Sequence, residues 1–135
     1  MSVQAVSAAG TSIWLDDLSR AKISSLESNA LPARIKKSGV VGVTTNPSIF
    51  SAAISGAAEY AADIAHMKGS TVDEVVKKLT TDDVRQACDL FTAIYESTQG
   101  VDGRVSIEVD PRLAHDTQGT IEAGKELWAI IDRPN

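Results

Sequence analysis

GVVGVTTNPSIF, residues 39 to 50, decides how the rest of the chain reads. It begins as a β-branched apolar run, Val40, Val41 and Val43, which suits a buried strand. Thr44, Thr45 and Asn46 then replace the valines, and Pro47 forbids the strand from continuing. Ile49 and Phe50 resume an apolar pattern at helical spacing. Asn46 suits the cap of that helix, and Pro47 its first turn, where a missing N–H costs nothing. A strand therefore hands three hydrogen-bonding side chains to its carboxyl end, just ahead of a helix. In α/β folds, chemistry gathers at that end of the strands.

Reading outward toward the N-terminus, Ser38-Gly39 stops a helix, since glycine accepts the left-handed conformation of a helix end. That helical piece starts near Pro32 and runs through Lys37, after an earlier piece from about Leu18 with Ile23 and Leu26 on its apolar side. Ser12 to Leu15 is the first strand, closed by Asp16 and Asp17. Residues 1–11 form an arm or a short helix. Toward the C-terminus, residues 48–100 are helical almost throughout. Val72, Val75, Val76 and Leu79 share one face, and Val84, Ala87, Cys88, Phe91, Ile94 and Tyr95 continue the spacing. Gly69-Ser70 and Thr80-Thr81 divide these helices. Arg104 to Val109 is the third strand, ended by Asp110-Pro111. A last helix spans Thr117 to Ile131, with Ile121, Leu127, Trp128 and Ile131 on one side.

The order β–α–β–several α–β–α predicts parallel strands joined by helical crossovers. Three such strands leave two open edges and bury poorly. The alternation calls for a fourth strand after Arg133-Pro134-Asn135. The expectation is one domain's first part, 1–135, association-prone on its own because apolar helix faces lack neighbours.

Composition narrows the partners. Of the 135 residues, 43% are hydrophobic and 23% charged, with a net charge of −5; the values are those of a globular chain. The acidic balance, with no basic cluster beyond Lys36-Lys37, argues against nucleic acid. No apolar run nears the roughly 20 residues of a membrane span. The single cysteine, Cys88, offers no internal disulfide, so a reducing cytoplasm is expected. It falls on an apolar helical face and reads as core. The N-terminal ten residues lack the basic flank of a signal peptide.

Parallel strands would bring their polar ends to one rim: Asp16 and Asp17 from the first, Thr44, Thr45 and Asn46 from the second, Glu108 and Asp110 from the third. Carboxylates with hydroxyl and amide groups suit proton transfer on a polyhydroxylated substrate. Each has a plainer role open to it. Asp16 or Asp17 caps the following helix, Asn46 caps its own, and Thr44 is a sheet residue with a satisfied hydroxyl. Glu108 lies between Ile107 and Val109, where an acid needs a purpose or a partner. Asp110 before Pro111 suits a turn. A metal at Glu108, Asp110, His115 and Asp116 would lack a recognised ligand spacing.

WLDDLSR (14–20), GVVGVTTNPSIF (39–50) and GRVSIEVDPRLAHDT (103–117) together resemble the N-terminal part of the transaldolase family, of the longer type with several helices between strands two and three. The resemblance covers nearly the whole chain. It implies an incomplete TIM (β/α)₈ barrel holding the first three parallel strands. It also implies transfer of a dihydroxyacetone unit between sugar phosphates through a Schiff base on lysine, with no metal or cofactor, in the non-oxidative pentose phosphate pathway. By the same resemblance Asp16 exchanges a proton with the sugar hydroxyl, Asn46 holds the dihydroxyacetone hydroxyls, Glu108 works through a water, and Thr44 supports that end of the site. The family's lysine lies on a fourth strand, after an R-P-N segment of this kind. No lysine of this chain matches it, Lys125 lying within the last helix, so the segment by itself is expected to be inactive. The alternatives are a fructose-6-phosphate aldolase-like enzyme, which carries an amide where Glu108 stands, a metal-dependent barrel hydrolase, and a non-catalytic fragment that binds sugar phosphate.

Overall fold

A computed structural model describes residues 2–25 and 27–135. Three strands, β1 (Ile13–Asp16), β2 (Val40–Thr44) and β3 (Arg104–Val105), form one parallel sheet in the order β1-β2-β3. Between and around them lie α1 (Val3–Ala8), α2 (Arg20–Ser24), α3 (Leu31–Ser38), α4 (Pro47–Ile54), α5 (Ala61–His66), α6 (Val72–Ser97) and α7 (Thr117–Ile131). Short 3₁₀ turns occupy Ala58–Tyr60 and Pro111–Leu113.

The sheet is covered on one face. Ile13, Leu15, Val43, Val105 and Ile107 pack against Ile23, Leu31, Phe50, Val84, Ala87, Cys88, Phe91 and Ile131 from the helices. Strand side chains alternate, so Trp14, Asp16, Gly42, Thr44 and Arg104 belong to the other face, and Trp14 and Asp16 are exposed there. An open doubly wound sheet would carry helices on both faces. Helices on one face, with sequential parallel neighbours, are the arrangement of a barrel sector. One irregularity sets the pattern: Ile13 pairs with Val40 but Trp14 with Gly42, so Val41 is an extra residue on β2. That bulge lets Val40 and Val43, three apart, both be buried.

The end of α3 and the start of α4 follow the residues read for them, while the cap of α6 was not read from the sequence. Gly39 closes α3 in the left-handed conformation (φ 66°, ψ 30°). Asn46 caps α4, and Pro47 opens it. Thr71 and Glu74 cap α6 reciprocally, each side chain accepting the other's backbone N–H.

Several expectations are corrected. Thr80-Thr81 does not divide two helices. Both threonines lie inside the 26-residue α6 and turn their hydroxyls back onto the Lys77 carbonyl, so the helix passes through them. The apolar stripe of the first turns of α6 is not core. Val72 is 76% exposed and Val76 43%, and burial begins at Leu79. Ile121 and Trp128 on α7 are likewise exposed, Ile131 alone of that side reaching the core cluster. β1 is shifted by one residue and includes Asp16, while α2 begins at Arg20, not Leu18, which is buried in the turn between them. The ladder of β3 holds only Arg104 and Val105. Beyond it the chain stays tied to β2 by the Ser106 N–H, which donates to the Val43 carbonyl at 2.9 Å. Leu26 lies outside the described residues. At the other edge of β3, the Val105 N–H donates to the Asn135 carbonyl at 2.9 Å. The Asn135 side chain donates to the carbonyls of Cys88 and Gly103 at 2.9 and 2.8 Å.

Candidate active site

The ladder register sets Asp16 directly opposite Thr44 on the open face. At that separation the Thr44 hydroxyl donates to Oδ1 of Asp16 at 2.6 Å. Asp17, one residue on, pairs with the Lys22 ammonium. Neither carboxylate caps α2. Ser19 does, accepting the Lys22 N–H at 3.3 Å. The Asp16 carboxylate is thus oriented by a hydroxyl and unclaimed by a helix end.

At the end of β2 the three polar residues have different partners. Thr45 is 2% exposed, and its hydroxyl donates to the Ser106 carbonyl at 2.7 Å, holding the chain beyond β3 against β2. Asn46 accepts the Ile49 N–H at 2.9 Å through Oδ1. Among the described residues its Nδ2 has no hydrogen-bond acceptor. Capping and ligand contact are therefore compatible, because each uses a different atom of one amide.

Glu108 is exposed, contrary to the buried acid that its apolar neighbours suggest. Val105 and Ile107 take the core contacts of this stretch, and Glu108, three residues past the β3 ladder, is left outside them. Asp110 stabilises the turn that follows it. Its carboxylate accepts the Arg112 N–H at 2.8 Å and the Arg112 guanidinium, which holds it down to about 2. Asp116 caps α7 through the Gly119 N–H at 2.9 Å. His115 and His66 are exposed. Cys88 is 1% exposed, and burial pushes its thiol up to about 11, so it is a core residue. Among the described residues no three His, Cys, Asp or Glu side chains cluster as metal ligands.

A cleft of about 590 Å³ opens beside this rim, lined by Asp17, Ser19, Lys22, Asn46, Ser48 and Tyr60 among others. Asp16, Thr44 and Glu108 are not on its wall; Asp16 and Thr44 stand on the open sheet face, and Glu108 is exposed three residues past the β3 ladder. The four expected site residues thus share the carboxyl-terminal side of parallel strands. Only Asp16 and Thr44 touch, and Asn46 sits at the junction with the cleft. A carboxylate held by a hydroxyl, an exposed carboxylate beyond the next strand and a free amide donor can exchange protons with, and orient, a polyol.

Three further features escaped the sequence reading: the Ser19 cap, the Thr45–Ser106 tie, and an ion-pair network at Asp83. The last had a signal. Leu79, Asp83, Ala87 and Phe91 recur every four residues, which places one carboxylate on an apolar helical stripe.

A family model described as Transaldolase/Fructose-6-phosphate aldolase matches residues 13–135. A curated Transaldolase of Mycolicibacterium smegmatis is 56% identical over 133 residues, covering 97% of this chain and 35% of the relative. The Transaldolase of Mycobacterium tuberculosis is 56% identical and that of Mycobacterium ulcerans 55% identical, both over the same 133-residue length and with the same coverage. The chain spans about a third of the length of the curated relatives it matches.

Proposed function

The chain belongs to the transaldolase/fructose-6-phosphate aldolase family, and from that premise we propose that it is the N-terminal part of a longer transaldolase. The whole protein would be a single (β/α)₈ barrel of the cytoplasm, moving a dihydroxyacetone unit from sedoheptulose 7-phosphate to glyceraldehyde 3-phosphate in the non-oxidative pentose phosphate pathway. The observation that carries this reading is the Thr44–Asp16 hydrogen bond on the open, strand-end face.

In the proposed reaction a lysine amine attacks the ketose carbonyl, and water leaves to give a Schiff base. Asp16 accepts the proton of the neighbouring sugar hydroxyl as the carbon–carbon bond breaks, and returns it when the acceptor aldehyde adds. Thr44 orients that carboxylate. Asn46 donates through Nδ2 to the dihydroxyacetone hydroxyls, and Glu108 moves protons through a water as the Schiff base forms and hydrolyses. The lysine is proposed to come from a fourth strand beside β3. The Val105 N–H already donates to the Asn135 carbonyl on that edge. Every lysine of the described chain lies on a helix or, for Lys68, a turn, so the 135 residues alone are expected to be inactive.

A coupled assay of the longer protein with fructose 6-phosphate and erythrose 4-phosphate tests the proposal. Transfer with little free dihydroxyacetone is expected. Release of dihydroxyacetone as the main product would instead favour a fructose-6-phosphate aldolase-like enzyme, a reading that the Glu108 carboxylate disfavours. No turnover of either kind would refute both.

A further inference from the structure

Asp83, on the inner side of α6, is fully buried, and both its oxygens are used. Oδ1 accepts from Arg20 Nε at 3.0 Å, and Oδ2 accepts from the Tyr60 hydroxyl at 2.6 Å. Tyr60, 1% exposed, accepts in turn from the backbone N–H of Arg20 at 2.9 Å. The Arg20 guanidinium lies over the Tyr60 ring, 4.6 Å from its centroid, and its other arm reaches Asp63 and the Glu59 carbonyl. Burial lifts the Asp83 carboxyl above its ordinary range, with the Tyr60 and Arg20 bonds opposing that rise.

A buried ion pair is poor evidence of added stability, because desolvation offsets its attraction. What the network supplies is direction. Arg20 is the first residue of α2, and its amide is one that a helix cannot satisfy for itself. Here that amide is claimed by a tyrosine from the 3₁₀ turn at 58–60, whose hydroxyl is itself aimed by a carboxylate from α6. Only Asp17, Leu18 and Ser19 separate that fixed amide from Asp16. Leu18 is buried, Ser19 is the cap, and Asp17 is tied to Lys22. The turn therefore has little freedom except through the Arg20 end. Tyr60 also lines the cleft beside Asn46.

We infer that Tyr60, aimed by Asp83, is a positioning residue for Asp16: its hydroxyl fixes the first amide of α2 and, through the 17–19 turn, the direction of the proton-transferring carboxylate. This rests on the function proposed above. Tyr60 touches no reacting atom; it acts through the backbone.

The test is Tyr60→Phe in the longer protein, which keeps the ring, its packing and the stacked guanidinium and removes one oxygen. A displaced catalytic group slows the step it serves while leaving substrate binding alone. The expected result is a kcat for transfer roughly tenfold lower, with KM for fructose 6-phosphate within about twofold of the parent. Borohydride trapping of the Schiff base should proceed at the parent's rate, since that step precedes the Asp16 proton transfer. Asp83→Asn keeps the hydroxyl but loosens its aim, and should show the same split to a smaller degree; it is the deciding variant if Tyr60→Phe does not fold. An unchanged kcat with a lowered melting temperature, equal losses in transfer and trapping, or failure of both variants to fold overturns the inference, because the network would then serve the fold alone. An inactive parent would sink the functional reading and this inference together; an active parent with an equally active variant would sink the inference only.

Discussion

The indole of Trp14 lies flat across Gly42 of the neighbouring strand, so close that a Cβ at residue 42 would stand 2.5 Å from the ring. The bulge at Val41 brings these two residues opposite each other on the open face. Gly42 is buried there by the ring rather than by a helix. Gly42→Ala must push the indole off the sheet, and the expected cost is about 1–3 kcal/mol. Urea denaturation of the longer protein would measure it; a midpoint equal to that of the parent would show that the ring moves freely.

Removing the Thr44 hydroxyl with Thr44→Val leaves Asp16 without its orienting donor. A hydrogen bond to a charged group contributes roughly 1.5–3 kcal/mol, so transfer should slow about 10- to 100-fold. Thr44→Ser keeps the donor and should restore most of the rate. Asp16→Asn, which removes the proposed proton acceptor itself, should cost roughly 10²–10⁴-fold. Steady-state kinetics that rank the valine variant level with the serine variant would remove Thr44 from the site.

Gly103 enters β3 with φ +78°, its N–H donating to the Val41 carbonyl at 2.6 Å. An added Cβ would strike the backbone of Tyr95 and, at 2.9 Å, the Phe91 carbonyl. Backbone cannot swing aside as a side chain can. Gly103→Ala should therefore destabilise by about 2–4 kcal/mol, combining left-handed strain with overpacking. A melting temperature within a degree or two of the parent would contradict this close approach of α6 to the start of β3.

Asp110 provides a pH test. The Arg112 side chain, and then its backbone N–H, hold the carboxyl down to about 2, from an ordinary 3.8. The folded value is the lower one, so the carboxylate's contribution is present above about pH 4 and is lost as pH falls toward 2. Carbon-detected NMR titration should find its midpoint near 2, and Arg112→Ala should raise it toward the ordinary range. A midpoint near 3.8 in the parent would mean that this pair does not persist in solution.

Much of this architecture is legible in local chemistry. Gly39 and Asn46-Pro47 each announce an element end, because a left-handed residue, a cap or a missing N–H has few places to go; Asp110-Pro111 instead opens the 3₁₀ turn at 111–113, five residues after β3 has stopped at Val105. The parallel strands and the shared face of Asp16 and Thr44 follow from element order and from alternation. What could not be read depends on distant neighbours. Val72, Val76, Ile121 and Trp128 carry core-type spacing yet are exposed, since periodicity reports a face and not what covers it. Glu108 sits between apolar residues yet is exposed, because the ladder of β3 ends at Val105 and, among the described residues, nothing packs over the carboxylate beyond it. Thr80 and Thr81 look like a break until their hydroxyls are seen bonding back into α6. The Tyr60–Asp83–Arg20 junction joins residues up to 63 positions apart, which no local pattern specifies.

The most direct check maps the lysine that carries the Schiff base. The longer protein would be incubated with fructose 6-phosphate, reduced with borohydride, digested and read by mass spectrometry. A single adduct on a lysine beyond residue 135, unchanged in amount by Lys22→Arg, is the expected result. An adduct on Lys22, which lines the cleft beside Asp17 and Asn46, or on any other lysine of residues 1–135, would contradict the proposed division between a proton-transferring rim here and a covalent lysine on a further strand.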